Sequence, residues 1–310
     1  MERRDVLRSA LTAAAASAMI SATASAAPES QSRDERRSGS GSYIQTPDGE
    51  SLFFTDWGSG APIVFLSAWA LPSEMWEYQM VPLSDEGFRC IAYDRRGHGR
   101  SSRPGGGYTY DTLADDLAAV LDMLDLRNVT LVGMSMAGGE MVRYLTRHGS
   151  RRVSRLLFVA TAATPFRTRT DDNPTGFPAE QLDNFRRHIL LRDFPKWLED
   201  NRQPFFVAET TPQLQDWVRM LMLGTSMKAI NECHHSMAAT DFRRELAQIT
   251  LPTLLIHGDK DVSAPLDLTG KPTAALIPGA ELRVYQGAPH GLFLTHMARL
   301  TADIGRFARA

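Results

Sequence analysis

Val129-Thr-Leu-Val-Gly133-Met134-Ser135-Met136-Ala137-Gly138-Gly139-Glu140 is the stretch on which the fold turns. An apolar, β-branched run leads straight into a helical pattern in which Met141, Val142 and Leu145 share one face, and a serine sits at the junction. A strand-to-helix turn this sharp strains the serine backbone and lifts its hydroxyl above the sheet. It leaves no room for bulk two positions to either side, which gives Gly133 and Ala137 a steric reason to be small. The Met136 N–H then points to where an oxyanion would form, and the helix N-terminus adds partial positive charge. The bland alternative is a serine that merely caps the helix. The strand before it and the amphipathic helix after it weigh against that.

Outward from this turn, short apolar runs at residues 63–66, 89–93, 129–132, 156–160 and 253–257 read as strands buried on both faces, as in a parallel sheet. Helical patterns lie between them, such as Leu113, Leu117, Val120, Leu121 and Leu124. Alternating β and α predicts an α/β fold, a mostly parallel sheet flanked by helices. Two earlier strands, 42–45 and 52–57, are separated by Pro47-Asp48-Gly49 and read as a hairpin. From 164 to about 246 no strand pattern is visible, but apolar residues recur at helical spacing. This predicts an inserted helical cap over the carboxyl edge of the sheet, where open α/β sheets bind ligands.

The composition narrows the function classes. The chain has 310 residues, 43% hydrophobic and 23% charged, with a net charge of −2, so no global field exists to hold nucleic acid or an anionic membrane. Two cysteines, Cys90 and Cys233, exclude a disulfide scaffold and a four-thiolate zinc site. Residues 1–26 read as a twin-arginine-type signal peptide: Arg3-Arg4, a mild Ala-rich run, then Ala24-Ser25-Ala26 as a cleavage pattern. A packed N-terminal helix is the alternative, disfavoured because the run has few large residues to bury. Polar residues 27–41 read as a flexible linker and 42–310 as the folded domain. The expected location is periplasmic or secreted, with no membrane association once the signal is removed. Removing 1–26 would take the net charge to −3. Cys90 in a core strand and Cys233 in the cap are not expected to pair.

The serine turn resembles that of the α/β-hydrolase superfamily. More narrowly, Gly138-Gly139-Glu140-Met-Val-Arg-Tyr144 and Arg147-His148-Gly149 are similar to the cofactor-free bacterial haloperoxidases and aryl esterases. The likeness continues through Tyr93-Asp94-Arg95-Arg96-Gly97-His98-Gly99-Arg100-Ser101-Ser102, Thr240-Asp241-Phe242-Arg243 and Gly287-Ala288-Pro289-His290-Gly291-Leu292-Phe293, and it covers nearly everything from residue 42 onward.

The resemblance implies Ser135 as nucleophile, followed in chain order by an acid and a histidine. The loop Gly258-Asp259-Lys260-Asp261 matches the family's G-x-x-D and points to Asp261 as the acid, with Asp259 the alternative on spacing. His290, closing the loop Gly287-Ala-Pro-His290, is then the base. His257 in a strand reads as structural, His98 sits in a turn, His148 ends a helix and His296 starts the last one. Cys233-His234-His235 invites a metal reading, but adjacent helical residues point about 100° apart. Matching the family carries the oxyanion hole to the backbone N–H groups of Met136 and Trp69. Ser67-Ala68 replaces the usual His-Gly before Trp69, and Ala68 has a Cβ, so a left-handed backbone there would require a differently arranged loop.

The implied chemistry is acyl transfer on a small carboxylic ester, with no cofactor and no metal. Hydrogen peroxide in place of water would give a peracid that oxidises halide. Trp69, Met134 and Met136, with Trp197, Phe205, Phe206 and Trp217 from the cap, are expected to line a small apolar pocket; core packing is an equal alternative for each cap aromatic. The partners are therefore a small-molecule ester, or a carboxylic acid plus hydrogen peroxide, and no nucleic acid; a homo-oligomer is left open. Dehalogenases and epoxide hydrolases of this fold place a carboxylate where Ser135 stands. A lactonase or other acyl hydrolase remains an alternative, as does a non-catalytic binding protein on a hydrolase scaffold.

Overall fold

The Pro47-Asp48-Gly49 turn, with Gly49 at φ 93°, folds β1 (Tyr43–Gln45) back on β2 (Ser51–Trp57) and sets Ile44 opposite Leu52. The computed structural model describes residues 42–161 and 167–310; the signal and linker assigned to 1–41, and the start of the cap at 164–166, lie outside the described residues. The further strands are β3 (Pro62–Leu66), β4 (Arg89–Tyr93), β5 (Val129–Met134), β6 (Val153–Val159), β7 (Thr253–Gly258) and β8 (Glu281–Tyr285), with helix α1 (Glu77–Asp85) between β3 and β4. They form one eight-stranded sheet ordered β1-β2-β4-β3-β5-β6-β7-β8. Only β1 and β2 run antiparallel to their neighbours; β3 to β8 are parallel.

Every residue of β5 and β7 is buried, as continuous apolar runs in a two-sided parallel sheet require. Alternation along β5 sends Val129 and Leu131 into the core layer under α2 (Tyr110–Met123) and α3 (Ala137–His148), and Val132 and Met134 into the layer on the opposite face. Arg96, itself buried, ties the first layer to the hairpin by pairing with Asp116 of α2 at 2.6 Å and Asp48 of the turn at 2.9 Å. Between β6 and β7 the described segment contains no strand. It holds α4 (Ala179–Phe185), α5 (Leu191–Asp200), α6 (Arg202–Phe205), α7 (Pro212–Leu223), α8 (Met227–Ala239) and α9 (Arg243–Leu246). Thr211 and Ser226 start the two long helices of this set, each accepting a hydrogen bond from the N–H three residues on.

Candidate active site

The turn after β5 is as sharp as its sequence requires. Ser135 adopts φ 57°, left-handed for a non-glycine residue, and its N–H is held by the Val159 carbonyl at 2.9 Å. A Cβ on Gly133 would come within 2.9 Å of the end of Met141, and one on Gly138 within 2.6 Å of Thr161 Oγ1. Gly139 is small for another reason: the edge-to-face pair Tyr110 and Phe242 packs on it, and a Cβ would meet those rings at 2.6 and 2.7 Å.

The loops after β7 and β8 bring two further predicted side chains to this serine. His290 Nε2 accepts from Ser135 Oγ at 3.1 Å, and Nδ1 donates to Asp261 Oδ2 at 2.7 Å, the tautomer that satisfies both partners. All three residues are 5% exposed. Asp261 Oδ1 accepts from the N–H groups of Ser263 (2.9 Å) and Ala264 (2.7 Å), which fixes the carboxylate's orientation. Burial opposes its charge, but His290 and His257, through their charge and their hydrogen bonds, hold it well below the usual carboxylate range. Asp259, the alternative acid, instead accepts from the Gly287 N–H at 2.6 Å and braces the histidine loop. His257 contacts the Ala264 carbonyl at 2.7 Å, a structural bond as its strand position suggested. The inserted helices brace the base as well: Gly291 N–H donates to the Phe205 carbonyl at 3.0 Å, and the Phe205 ring stands edge-on to His290.

Of the predicted oxyanion donors, Met136 follows Ser135 directly and Trp69 lines the same cavity as Ser135. Among the described residues neither the Met136 nor the Trp69 N–H donates to a protein acceptor. The left-handed residue of the β3 loop is Ala70 (φ 66°) and not Ala68, so Ser67-Ala68 fits without the rearrangement a positive φ would have forced. Arg95 supports this loop from beneath. Its guanidinium donates to the carbonyls of Ser67 (2.6 Å) and Ala68 (3.5 Å) and to Glu140 of α3 (2.7 Å), with both charges buried. Burial pushes the Glu140 carboxyl up and Arg95 pulls against it. One ion pair thus connects the loop after β3 to the helix that follows Ser135.

Ser135 and His290 open onto a cavity of about 280 Å³. Trp69, Trp197, Phe205 and Phe206 line it as expected. Trp69 is held there by its indole N–H, which donates to the Ile230 carbonyl at 3.1 Å, and by edge-on contacts with Phe194 and Trp197. The expected roles of Met134, Met136 and Trp217 in the pocket wall are not met. Met134 and Met136 are fully buried in opposite core layers, because strand alternation and the turn aim them away from the hydroxyl between them. Trp217 packs against Tyr78 instead, and its neighbour Val218 takes the cavity-facing position one helical step on. Sequence reasoning missed Phe185, Arg167, Arg202, Arg219 and His234, which complete the wall. His234 is buried while His235 is exposed, so the two diverge as helical geometry requires.

Residues 61–297 match the family described as alpha/beta hydrolase fold. The chain is 40% identical over 252 residues to non-heme chloroperoxidase CPO-A1 of Kitasatospora aureofaciens, covering 80% of this chain and 91% of that protein. It is 33% identical over 276 residues to the bifunctional esterase/perhydrolase DCH of Acinetobacter calcoaceticus, covering 86% and 99%. Among solved structures, the esterase from Exiguobacterium antarcticum superposes with a TM-score of 0.83 at 34% identity, over 87% of this chain and 100% of that one. A serine-bearing strand-to-helix turn, an eight-stranded sheet of this order and these identities agree: the chain belongs to the α/β-hydrolase family, on its non-heme haloperoxidase branch.

Proposed function

We propose that the protein is a serine hydrolase of small carboxylic esters that works through an acyl-enzyme and can pass the acyl group to hydrogen peroxide. The observation that carries this reading is the hydrogen-bonded series Ser135 Oγ, His290 Nε2, His290 Nδ1, Asp261 Oδ2 at the mouth of a mostly apolar cavity. His290 takes the Ser135 proton as Oγ attacks the ester carbonyl, and the Met136 and Trp69 N–H groups hold the oxyanion. Collapse expels the alcohol, protonated by His290, and leaves the acyl-enzyme. Water, deprotonated by His290, then releases the acid; hydrogen peroxide in the same position releases a peracid, which oxidises a halide to hypohalous acid in solution. Asp261 stays ionised throughout and keeps the imidazole in the required tautomer. The names of relatives as chloroperoxidase and esterase/perhydrolase fit both acyl acceptors. The test is turnover of p-nitrophenyl acetate, and bromination of monochlorodimedone with peroxide and acetate, both abolished in Ser135→Ala. Wild-type activity in that variant refutes the reading.

Export through the twin-arginine-type segment belongs to the same proposal, supported by Arg3-Arg4 and Ala24-Ser25-Ala26. Arg3→Lys with Arg4→Lys is expected to retain the precursor in the cytoplasm; unchanged fractionation refutes export by this route.

A further inference from the structure

The cavity next to Ser135 carries three arginines, Arg167, Arg202 and Arg219, and no carboxylate among the described residues that line it. Two of the three are tied to acids outside the wall: Arg202 to Asp216 at 2.7 Å, and Arg219 to Glu199 at 3.8 Å. Arg167 has no such partner. Among the described residues it forms no ion pair, its Nε is buried without a hydrogen bond, and its guanidinium carbon lies 5.5 Å from the centre of the Phe177 ring. A guanidinium does not deprotonate in a protein, so a partly buried one whose Nε is shut off from water, with no acid beside it, carries an uncompensated desolvation cost. Burial lowers the Arg167 pKa, with only Tyr110 pulling the other way, as expected of a cation lacking a counter-charge.

His234 lines the same cavity, also with a buried, unpartnered nitrogen, Nδ1. Burial, Arg167 and Arg186 pull its pKa down to about 3, so at neutral pH it is an uncharged imidazole with one N–H to donate. The Phe185 and Trp69 rings pack on it and fix its plane. A cation without an acid partner and a neutral donor on one cavity wall form a receptor for one planar anion.

We propose that Arg167, with His234, recognises an ionised carboxylate on the substrate, so that the preferred substrates are esters bearing a second, free carboxylate group. This deepens the acyl-transfer reading and rests on it. It assigns the substrate class that the rest of the pocket leaves open. The carboxylate supplies the counter-charge that Arg167 lacks among the described residues, and the ester carbonyl lies at Ser135.

Two matched ester pairs test it. p-Nitrophenyl hydrogen glutarate places the anion on the acyl side and 4-acetoxybenzoate places it on the leaving group; each is compared with its neutral methyl ester. A charge-assisted hydrogen-bonded pair predicts that kcat/KM favours the anion by about tenfold or more in at least one pair. In Arg167→Met that ratio falls to about one, and Arg167→Lys restores part of it. A ratio near one in the wild type, or an Arg167→Met variant that slows both members of a pair equally, overturns the proposal and makes Arg167 structural. Binding separates this proposal from the catalytic one. Titration calorimetry of Ser135→Ala should detect monomethyl glutarate but not dimethyl glutarate, and Ser135→Ala with Arg167→Met should bind neither. If the wild type turns over no ester while this binding contrast persists, the hydrolase reading fails and anion recognition stands. Equal binding of mono- and dimethyl glutarate ends the anion proposal.

Discussion

Replacing Asp261 by Asn tests the proposed division of labour with little change in shape. The backbone N–H groups of Ser263 and Ala264 donate to one oxygen at 2.9 and 2.7 Å, so the asparagine carbonyl stays on that side and its NH2 group faces His290 Nδ1. Two donors then meet across 2.7 Å. The imidazole relieves the conflict by moving its proton to Nε2, the atom 3.1 Å from Ser135 Oγ, and can no longer accept the serine proton. A wrong tautomer of this kind costs about 10³–10⁴ in kcat, or about 4–5.5 kcal/mol of barrier at 1.36 kcal/mol per decade. The assay is kcat and KM for p-nitrophenyl acetate near pH 7, with far-UV circular dichroism to verify folding. Asp259→Asn is the control: its acceptor oxygen for Gly287 N–H survives in the amide, so kcat should fall by less than about tenfold. An Asp261→Asn protein keeping more than about a tenth of wild-type kcat, or an Asp259→Asn protein losing more than Asp261→Asn, refutes the assignment of the acid.

Further substitutions follow from contacts around the site and at the β1–β2 turn. Gly258→Ala places a Cβ 2.0 Å from the Ala288 carbonyl oxygen, which is backbone and cannot turn aside; it should cost about 3 kcal/mol and at least about tenfold in kcat/KM, because His290 shifts with its loop. Gly133→Ala presses chiefly on the mobile end of Met141 and should cost less; the opposite ranking in denaturant unfolding would refute the steric account. Arg95→Met leaves Glu140 buried and unpaired, a loss of about 3–5 kcal/mol. Arg95→Met with Glu140→Leu should regain stability but not activity, since the Ser67 and Ala68 carbonyls remain without their donor; recovered kcat would refute a positioning role. The Arg96 hydrogen bond lowers the Asp48 carboxyl to about 2 in the folded protein, below its unfolded value, so its contribution is present above about pH 4 and disappears as pH falls toward 2. The side chain is half exposed, which limits that contribution to about 1 kcal/mol. Asp48→Asn should flatten Tm against pH across that window, and an unchanged slope would refute it.

The parts of the molecule visible in the sequence are those set by local steric or chain-order rules. The Gly133, Ser135 and Ala137 spacing is dictated by a turn that only small flanking residues permit, and the order of Ser135, Asp261 and His290 is what the resemblance to the α/β-hydrolase family implies. The pocket wall is set by helical phase and by side-chain direction across the chain, which composition does not carry. Trp217 and Val218 differ by one residue and about 100° of rotation, and only the second reaches the cavity. Met134 flanks the nucleophile in sequence yet lies in the core, because neighbouring strand residues face opposite ways. Arg167 was invisible for another reason: an arginine is read as solvated until the absence of an acid beside it can be seen in three dimensions.

Backbone strain ties these observations together. Ser135 (φ 57°), Ala160 (φ 44°) and Ala70 (φ 66°) are left-handed without being glycine, and they follow β5, β6 and β3, three neighbouring strands, at the sheet's carboxyl edge. Each such residue costs about 1–3 kcal/mol and persists only where its surroundings over-determine it. Hydrogen bonds supply that constraint: Ser135 N–H to Val159, Ala160 N–H to Ile256, and Thr225 Oγ1, from the inserted segment, to the Ala70 carbonyl at 2.8 Å. A relaxed backbone at these three points would let the strands continue into their loops and turn the Ser135 hydroxyl away from His290. The sheet therefore does more than carry the site. Its parallel hydrogen bonding, next strand to next strand, holds the turns at Ser135 and Ala160 in register, so that the Ser135 hydroxyl is in place beside His290 without a bound ligand.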